Sequence, residues 1–241
     1  MGDAGTPIPQ YNEDQDTLEK TLLGLCEGLE VLYRQHGRGR GAQYGLNWHE
    51  VAVCIIQDGI EKCHEEVLAT ATVQGFYSPS VLQDSVIGQP TSVHLFEYTA
   101  RCGKKRGDLG WCFSAWGEVT FRWLRTVYHT TLHVRLHKEP LHMTHGHRIR
   151  KHAGLDAYPP LQVMFATKAK NRGKLDSHCW FFDAFSQAVQ PEICMLFDAG
   201  TRPRPFALRN IYAYFQRYPN VGAVTGELTV ERPVRFLTVT W

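Results

Sequence analysis

The sequence lacks most of the features that would place it in a specialised class of protein. No apolar run approaches the roughly 20 residues that a membrane-spanning helix needs. Its seven cysteines are odd in number and scattered, with no C-x-x-C pair, which favours a reducing compartment. The opening residues, "MGDAGTPIPQ", do not form a signal peptide. The chain as written is therefore predicted to be soluble and intracellular.

Charge is also nearly balanced. The formal net charge is only +2, which gives no overall attraction to nucleic acid or to an anionic membrane. A charged fraction of 21% and a hydrophobic fraction of 43% are ordinary for a soluble globular protein. The 241 residues are enough for one large domain or two small ones with a real core.

Predicted strands and helices alternate along the chain, which indicates an α/β layer with a largely parallel sheet. Leucines spaced by four and three predict a first helix over 14–37, with Asp16 and Glu19 at its capping start and Gly37 at its exit. Further helices are predicted near 60–72, 177–189 and 204–218. Buried strands are predicted at 51–56, 92–98, 161–167, 193–197 and 221–224.

Two of these strands end alike, in "CIIQDG" and "CMLFDAG". Ligands of open α/β sheets bind at the carboxyl ends of the strands. Asp58 and Asp198, each beside a small residue, would leave room there for a phosphate, with a divalent cation between the like charges. The alternative is that each aspartate only caps the turn that follows it.

A lysine cluster lies just upstream of the second aspartate. Lys168, Lys170 and Lys174 fall between a predicted strand and a helix that begins near Ser177. Lysines beside a helix N-terminus favour anions, because the free N–H groups and the helix dipole add to their charge. This pattern suits a nucleotide held with a metal, whereas a solvated basic loop is the alternative.

Six segments in this order closely resemble the glycosyltransferase domain of fungal-type chitin synthases. The resemblance covers roughly 9–99 and 158–228, and its most specific part is the lysine segment followed by Asp-x-Gly-Thr. The segments are "YNED" (11–14), "VAVCIIQDG" (51–59), "SVHLFEYT" (92–99), "KAKNRGKLDSHCWFFDAF" (168–185), "CMLFDAGTRP" (194–203) and "NVGAVTGEL" (220–228).

The resemblance implies a GT-A (Rossmann-like) α/β domain that moves N-acetylglucosamine from UDP-N-acetylglucosamine to a growing β-1,4-linked chitin chain. It implies that Asp198 holds Mg²⁺ or Mn²⁺. It also implies a donor site whose residues hold the uridine, the diphosphate and the turn around the metal. These donor-site residues are Tyr11, Glu13, Asp58, Lys168, Lys170, Lys174, Gly200, Thr201 and Glu227.

The sequence also departs from the family. The family usually has Asn and Arg where this chain has Asp176 and Cys179, and the extra negative charge should weaken anion binding modestly. The first strand lacks its usual apolar run. The motifs that supply the catalytic base, hold the acceptor and form the membrane channel would lie beyond residue 241, so no catalytic residue is assigned and an incomplete domain, inactive in isolation, is expected.

Residues 101–157 match none of the quoted family segments and are rich in Lys, Arg and His. The expected organisation is a first half of the domain at 1–100, an irregular basic insertion at 101–157, and a second half at 158–241. The insertion is interpreted as lying outside the fold, with translated non-coding sequence as the hypothesis for its origin. A metal site remains an alternative, since a helix would align His129, His133 and His137. A second alternative is nucleic-acid binding, although no nucleic-acid partner is expected.

Two functions follow from these observations. The first is the donor-binding part of a chitin synthase, with UDP-N-acetylglucosamine and a chitin oligomer as partners, placed on the cytosolic face of the plasma membrane through segments outside this chain. The second is a non-catalytic remnant that binds nucleotide sugars and carries a basic interaction segment.

Overall fold

A computed structural model describes residues 4–33, 46–73, 77–86, 88–102, 113–116, 134–137 and 158–230. The strands are β1 (Ala4–Gln10), β2 (Val51–Gln57), β3 (Ser85–Val86), β4 (Gln89–Pro90), β5 (Val93–Cys102), β6 (Phe113–Trp116), β7 (Val134–His137), β8 (Leu161–Lys168) and β9 (Ile193–Cys194). The α-helices are α1 (Gln15–Tyr33), α2 (Glu65–Val73), α3, which joins Lys174–Cys179, a π-helical Trp180–Phe185 and Ser186–Val189, and α4 (Ala207–Arg217). Short 3-10 turns lie at Trp48–Glu50, Ile60–Lys62 and Pro79–Val81.

The strands form one mixed sheet and a separate small hairpin of β3 and β4. The main sheet has the order β6-β5-β8-β2-β1-β9, with β7 also paired to β5. Strands β8, β2, β1 and β9 are parallel to one another, whereas β5 runs antiparallel to β8. Strands from both predicted halves therefore share one sheet, and four parallel strands end at the same edge.

Each face of the sheet buries its own apolar layer, because successive side chains of a strand point to opposite sides. Val53 and Ile55 of β2 belong to the cluster packed by α1, α2 and α4. Cys54 and Ile56 belong to the cluster packed by α3. The fully buried strands β2 and β8 read as continuous apolar runs because they are covered on both faces.

Helix α1 forms through the predicted leucine stripe, whose members Leu18, Leu22, Leu25, Leu29 and Leu32 are buried. Its cap differs from the prediction. Asp14, rather than Asp16, accepts a hydrogen bond from the Thr17 backbone N–H at 2.8 Å, and Thr17 holds the pKa of this carboxyl below its usual value. The sequence offers two aspartates in one turn, and only the one before Gln15 is in the capping position.

The first strand forms as β1 although it lacks the usual apolar run of the family. Residues 5–10 are buried and β1 pairs along its full length with β2. Pro7 and Pro9 are tolerated because alternate residues of a strand direct their backbone N–H and C=O groups to opposite sides. The carbonyls of Gly5 and Pro7 accept bonds from Met195 and Phe197, so the positions of the missing proline N–H groups face β9 rather than β2.

The same alternation of backbone groups shortens β9. Pro7 and Pro9 donate nothing to the chain beside them, so regular pairing stops after Cys194 although Met195 and Phe197 still donate to β1. Cys194 is exposed at this edge.

Two other predictions are changed by the structure. The strand predicted at 221–224 does not form. Residues 219–230 have no regular secondary structure and are mostly exposed. Within 101–157, β6 and β7 join the sheet beside β5, so these parts are not irregular. His137 lies in β7, which excludes a helix there, whereas the other two histidines of that alternative lie outside the described residues.

The remaining helix predictions hold in type and approximate place, with α2 beginning later than expected, at Glu65. In the part of the chain that the structure describes, no helix has the length and apolarity required to cross a membrane.

Close approach of α1 to the segment after Asp198 requires glycine. A Cβ at Gly24 would lie 2.7 Å from both Arg202 Cγ and Pro203 Cδ, and 2.9 Å from the Pro203 carbonyl oxygen. In a free helix, alanine would be favoured over glycine by about 1 kcal/mol. We predict instead that Gly24→Ala lowers the free energy of unfolding by about 1–2 kcal/mol, because the rigid proline must move.

Urea unfolding of the purified chain measures this change. Gly222→Ala is the control, since a Cβ there meets no atom within 4 Å. A Gly24→Ala chain more stable than the wild type would contradict the packing described for α1.

Candidate functional site

The candidate site lies at the edge where the parallel strands end. Residues after β1, β2, β8 and β9 supply its polar groups, and the start of α3 supplies a further lysine. The ends of the two central strands are tied together, since the Asp58 backbone N–H donates to the Gln10 carbonyl at 2.7 Å. The site is therefore built where the central strands β1 and β2 are joined beyond their regular pairing.

A buried lysine shared by two aspartates organises one face of this edge. Lys168 Nζ lies 2.7 Å from Asp58 Oδ1 and 2.5 Å from Asp176 Oδ2, and its side chain is only 2% exposed. Its amine also donates to Ser177 Oγ at 3.3 Å. This cluster joins β2, β8 and the first turn of α3. Lys168 and Asp58 therefore hold these elements together, and neither presents its charge openly to a ligand.

The strand register explains the pairing of Asp58 with Lys168. Gln57 lies opposite Thr167 in the β2–β8 ladder, so the next residues along, Asp58 and Lys168, also stand side by side. The signal was present in the sequence as two aligned strand ends, "CIIQD" and "FATK". Without the register, the lysine could only be grouped with its neighbours in the basic loop.

The two loops that follow β2 and β8 touch. The backbone N–H of Arg172 donates to Asp58 Oδ1 at 3.0 Å. Gly59 has a φ of +84°, and a Cβ there would lie 2.7 Å from the Asn171 backbone nitrogen. Only glycine combines this conformation with such a close approach. The turn after Asp58 thus supports the loop that carries Arg172 and leads to Lys174.

Lys174 and Asp198 meet at the open part of the edge. Lys174 Nζ lies 2.5 Å from Asp198 Oδ1, and the two side chains are 53% and 55% exposed. The sequence treats them as separate members of a basic loop and a strand end, 24 residues apart. The structure brings them together because α3 runs from the end of β8 across the sheet to pack on β1, next to β9.

The turn after Asp198 is fixed from two sides. The Thr201 backbone N–H donates to the Asp198 carbonyl at 2.9 Å, closing the turn. Gly200, with a φ of +90°, donates its N–H to Thr21 Oγ1 of α1 at 2.8 Å. Gly200 and Thr201 therefore shape the backbone that presents the carboxylate, as the Asp-x-Gly-Thr pattern predicts.

Tyr11 and Glu13 form the loop after β1. Tyr11 is 47% exposed, and its backbone N–H donates to Glu13 Oε2 at 2.6 Å. Buried Gln57, which no sequence pattern singles out, donates to the carbonyls of Tyr11 at 2.6 Å and Gly59 at 3.2 Å. Burial, with a smaller effect of Glu13, raises the pKa of the nearby Cys63 thiol to about 12, so it stays neutral.

The remaining predicted residues are less engaged. Lys170 is exposed on the loop after β8. Glu227 is exposed in the stretch without regular structure, and among the described residues it has no hydrogen bond or ion pair to the other predicted site residues. The edge thus unites Tyr11, Asp58, Lys168, Lys174 and Asp198, whereas Glu227 is not joined to it.

A hard divalent cation at this edge would have one carboxylate, that of Asp198, as its protein ligand. Asp198 offers an exposed carboxylate at the open edge, and the residues that the structure describes contain no group of three or more His, Cys, Asp or Glu side chains able to hold a metal. Mg²⁺ is commonly bound through one or two carboxylates, with phosphate oxygens and water completing its shell. A structural zinc site would need four protein ligands.

An α/β sheet with polar side chains at the carboxyl ends of its parallel strands is typical of proteins that bind nucleotides. The sequence matches the family model described as a chitin synthase-like glycosyltransferase domain, over residues 6–111 and 123–239. The chain therefore belongs to the chitin synthase-like glycosyltransferase family.

Two curated relatives are similar over most of this chain. Chitin synthase 2 of Cryptococcus neoformans var. grubii is 29% identical over 222 residues, which is 92% of this chain and 19% of the relative. Chitin synthase 2 of Mycosarcoma maydis is 28% identical over 223 residues, 92% of this chain and 16% of the relative. The chain spans about a fifth or less of the length of these relatives.

The family match corrects the extent of the resemblance. It includes 101–111, 123–157 and 229–239, which lie outside the range of the resemblance noted from the sequence. The segment between β5 and β8 is therefore largely family sequence. Strand β7 lies within the second matched range, and β6 lies in the gap between the two ranges.

Removing the buried lysine charge should destabilise the whole domain. Lys168→Met leaves two carboxylates facing each other without a cation, so we predict a loss of about 3–5 kcal/mol in the free energy of unfolding. Urea unfolding measures it. Lys170→Met, an exposed change of the same type two residues away, should stay within about 0.5 kcal/mol of the wild type.

A second variant separates charge from packing. Replacing all three groups, as Asp58→Asn, Lys168→Met and Asp176→Asn together, removes the unpaired charges and should recover much of the lost stability. Equal instability of the triple and single variants would show that lost packing, not charge, accounts for the effect.

Proposed function

We propose that this chain forms the donor side of a chitin synthase catalytic domain, which binds UDP-N-acetylglucosamine with Mg²⁺ or Mn²⁺ for transfer of the sugar to a growing chitin chain. The observation that carries the proposal is the meeting of Lys174 and Asp198 at the open edge of the sheet. Membership of the family supplies the reaction, and the names of both relatives agree with it.

The charges at the edge suit a diphosphate. A carboxylate and a diphosphate repel each other, so Asp198 contributes to binding by holding a cation that faces both. When bound, this cation would supply charge neutralisation to the departing UDP. Lys174 adds a positive charge beside Asp198 that a phosphate can approach. The turn at Gly200 has no side chain, so its backbone can lie close to the bound diphosphate.

The loop after β1 suits the nucleoside. Tyr11 is an exposed aromatic residue on a backbone that is held by Glu13 and Gln57. An exposed aromatic ring on a held backbone can stack on a base. The buried Asp58–Lys168–Asp176 cluster acts indirectly, by holding the loop after β8 in the position from which Lys174 reaches the edge.

Binding of UDP should depend on both the metal and Asp198. We predict that Mn²⁺ strengthens UDP binding to the wild-type chain, and that Asp198→Ala weakens UDP binding in saturating Mn²⁺ by about 5–150-fold, the usual range of coupling between two ligands. Isothermal titration of UDP with and without Mn²⁺ measures both effects.

Asp183→Ala is the matched control, because Asp183 is an exposed aspartate of α3 and its substitution changes the net charge equally. It should bind UDP like the wild type. Competition by GDP-mannose as effective as that by UDP-N-acetylglucosamine would contradict the assigned donor. UDP affinity that is the same with and without Mn²⁺ would contradict the role of Asp198.

A further inference from the structure

The Lys174–Asp198 ion pair links two separate elements at the surface of the site. Its cation and its carboxylate come from different elements, the first residue of α3 and the end of the segment after β9. Both are half exposed, so neither side chain is locked by packing. The pair is therefore a contact that can open without disturbing the core, unlike the buried contact of Lys168 with Asp58.

The Lys174 ammonium stands where a metal would have to bind. It lies 2.5 Å from Asp198 Oδ1, whereas Mg²⁺ binds oxygen at about 2.1 Å. On the same oxygen the two cations would lie only about 4 Å apart, a separation at which like charges repel strongly near a protein surface. A cation on the other carboxylate oxygen would remain within about 5 Å of the ammonium, where like charges repel appreciably near a protein surface.

A diphosphate changes this balance. Its negative charges can lie between the two cations, so the ammonium can leave Asp198 for a phosphate oxygen while the metal takes the carboxylate. We propose that Lys174 and the divalent cation are alternative partners of Asp198, and that only the nucleotide diphosphate allows both cations to occupy the site. Lys174 thereby makes metal binding conditional on nucleotide. This inference rests on the proposed function, because the diphosphate is the ligand that separates the cations.

The consequence is coupling between metal and nucleotide. Bare metal has to displace a covalently tethered cation, which weakens its binding. Metal that arrives with the diphosphate meets no such competition, because Lys174 gains a new partner. By linkage, the factor by which nucleotide strengthens metal binding equals the factor by which metal strengthens nucleotide binding.

The test is a set of Mn²⁺ titrations followed by electron paramagnetic resonance of the free ion, without nucleotide and with saturating UDP. Lys174→Met should bind Mn²⁺ alone about tenfold more tightly than the wild type, and its coupling factor between Mn²⁺ and UDP should fall by a similar amount. Lys174→Arg retains a competing cation and should resemble the wild type. Lys174→Gln repeats the neutral change with a polar side chain, in case the methionine variant does not fold.

Arg204→Met controls for net charge, because Arg204 is an exposed cation on the segment after the Asp198 turn. If Arg204→Met tightens Mn²⁺ binding as much as Lys174→Met, or if Lys174→Met and Lys174→Gln leave it unchanged, the exchange is overturned. If the wild-type chain binds no UDP at any Mn²⁺ concentration, the proposed function fails. The comparison of Mn²⁺ alone still decides whether Lys174 competes for Asp198.

Discussion

The site depends on one buried charge. Lys168 is enclosed between β2, β8 and the first turn of α3, and its ammonium is shared by Asp58 and Asp176. Removing a cation from water is costly, so this arrangement persists only because both carboxylates and Ser177 surround it. These contacts fix the path of the chain from β8 into α3. The position of Lys174, and hence its meeting with Asp198, follows from that path.

The two ion contacts have different roles: the inner one supports the fold, and the outer one lies at the proposed binding edge. The inner one has a buried lysine and joins three elements, whereas the outer one is half exposed at both partners and joins two. Asp176 belongs to the inner contact, although its sequence position suggested an effect on the surface lysines. Its negative charge is directed at a buried partner, so its influence on a bound anion is exerted through the placement of α3 and through the cluster's net charge of −1.

Much of the fold could be predicted from the sequence because its elements carry strong periodic signals. The leucine stripe of α1 and the apolar runs of β2 and β8 identified these elements, and the Asp-x-Gly-Thr turn after β9 was recognised by its residues. The strand predicted at 221–224 did not form, since a short apolar run says nothing about whether a neighbouring strand is present to pair with it.

The candidate site was predicted as a list of residues, not as contacts. Lys168 and Lys174 are alike in sequence, yet one is buried and the other is exposed, because only the sheet register sets Lys168 beside Asp58. The supporting role of Gln57 was missed for a related reason. Its amide bonds to the backbone of Tyr11, 46 residues away, and such a contact leaves no local pattern.

The prolines of β1 have a consequence for motion at the edge. On its β9 side, β1 offers carbonyl acceptors but no donors at positions 7 and 9, so the segment leading to Asp198 is held by bonds that run in one direction only. A strand fastened in this way has a low free energy of local opening compared with the doubly bonded centre of the sheet. The segment that carries Asp198 is therefore joined to the sheet by fewer backbone bonds than β2 or β8, whereas Lys174 stands on a helix whose first turn is anchored by the Lys168 cluster.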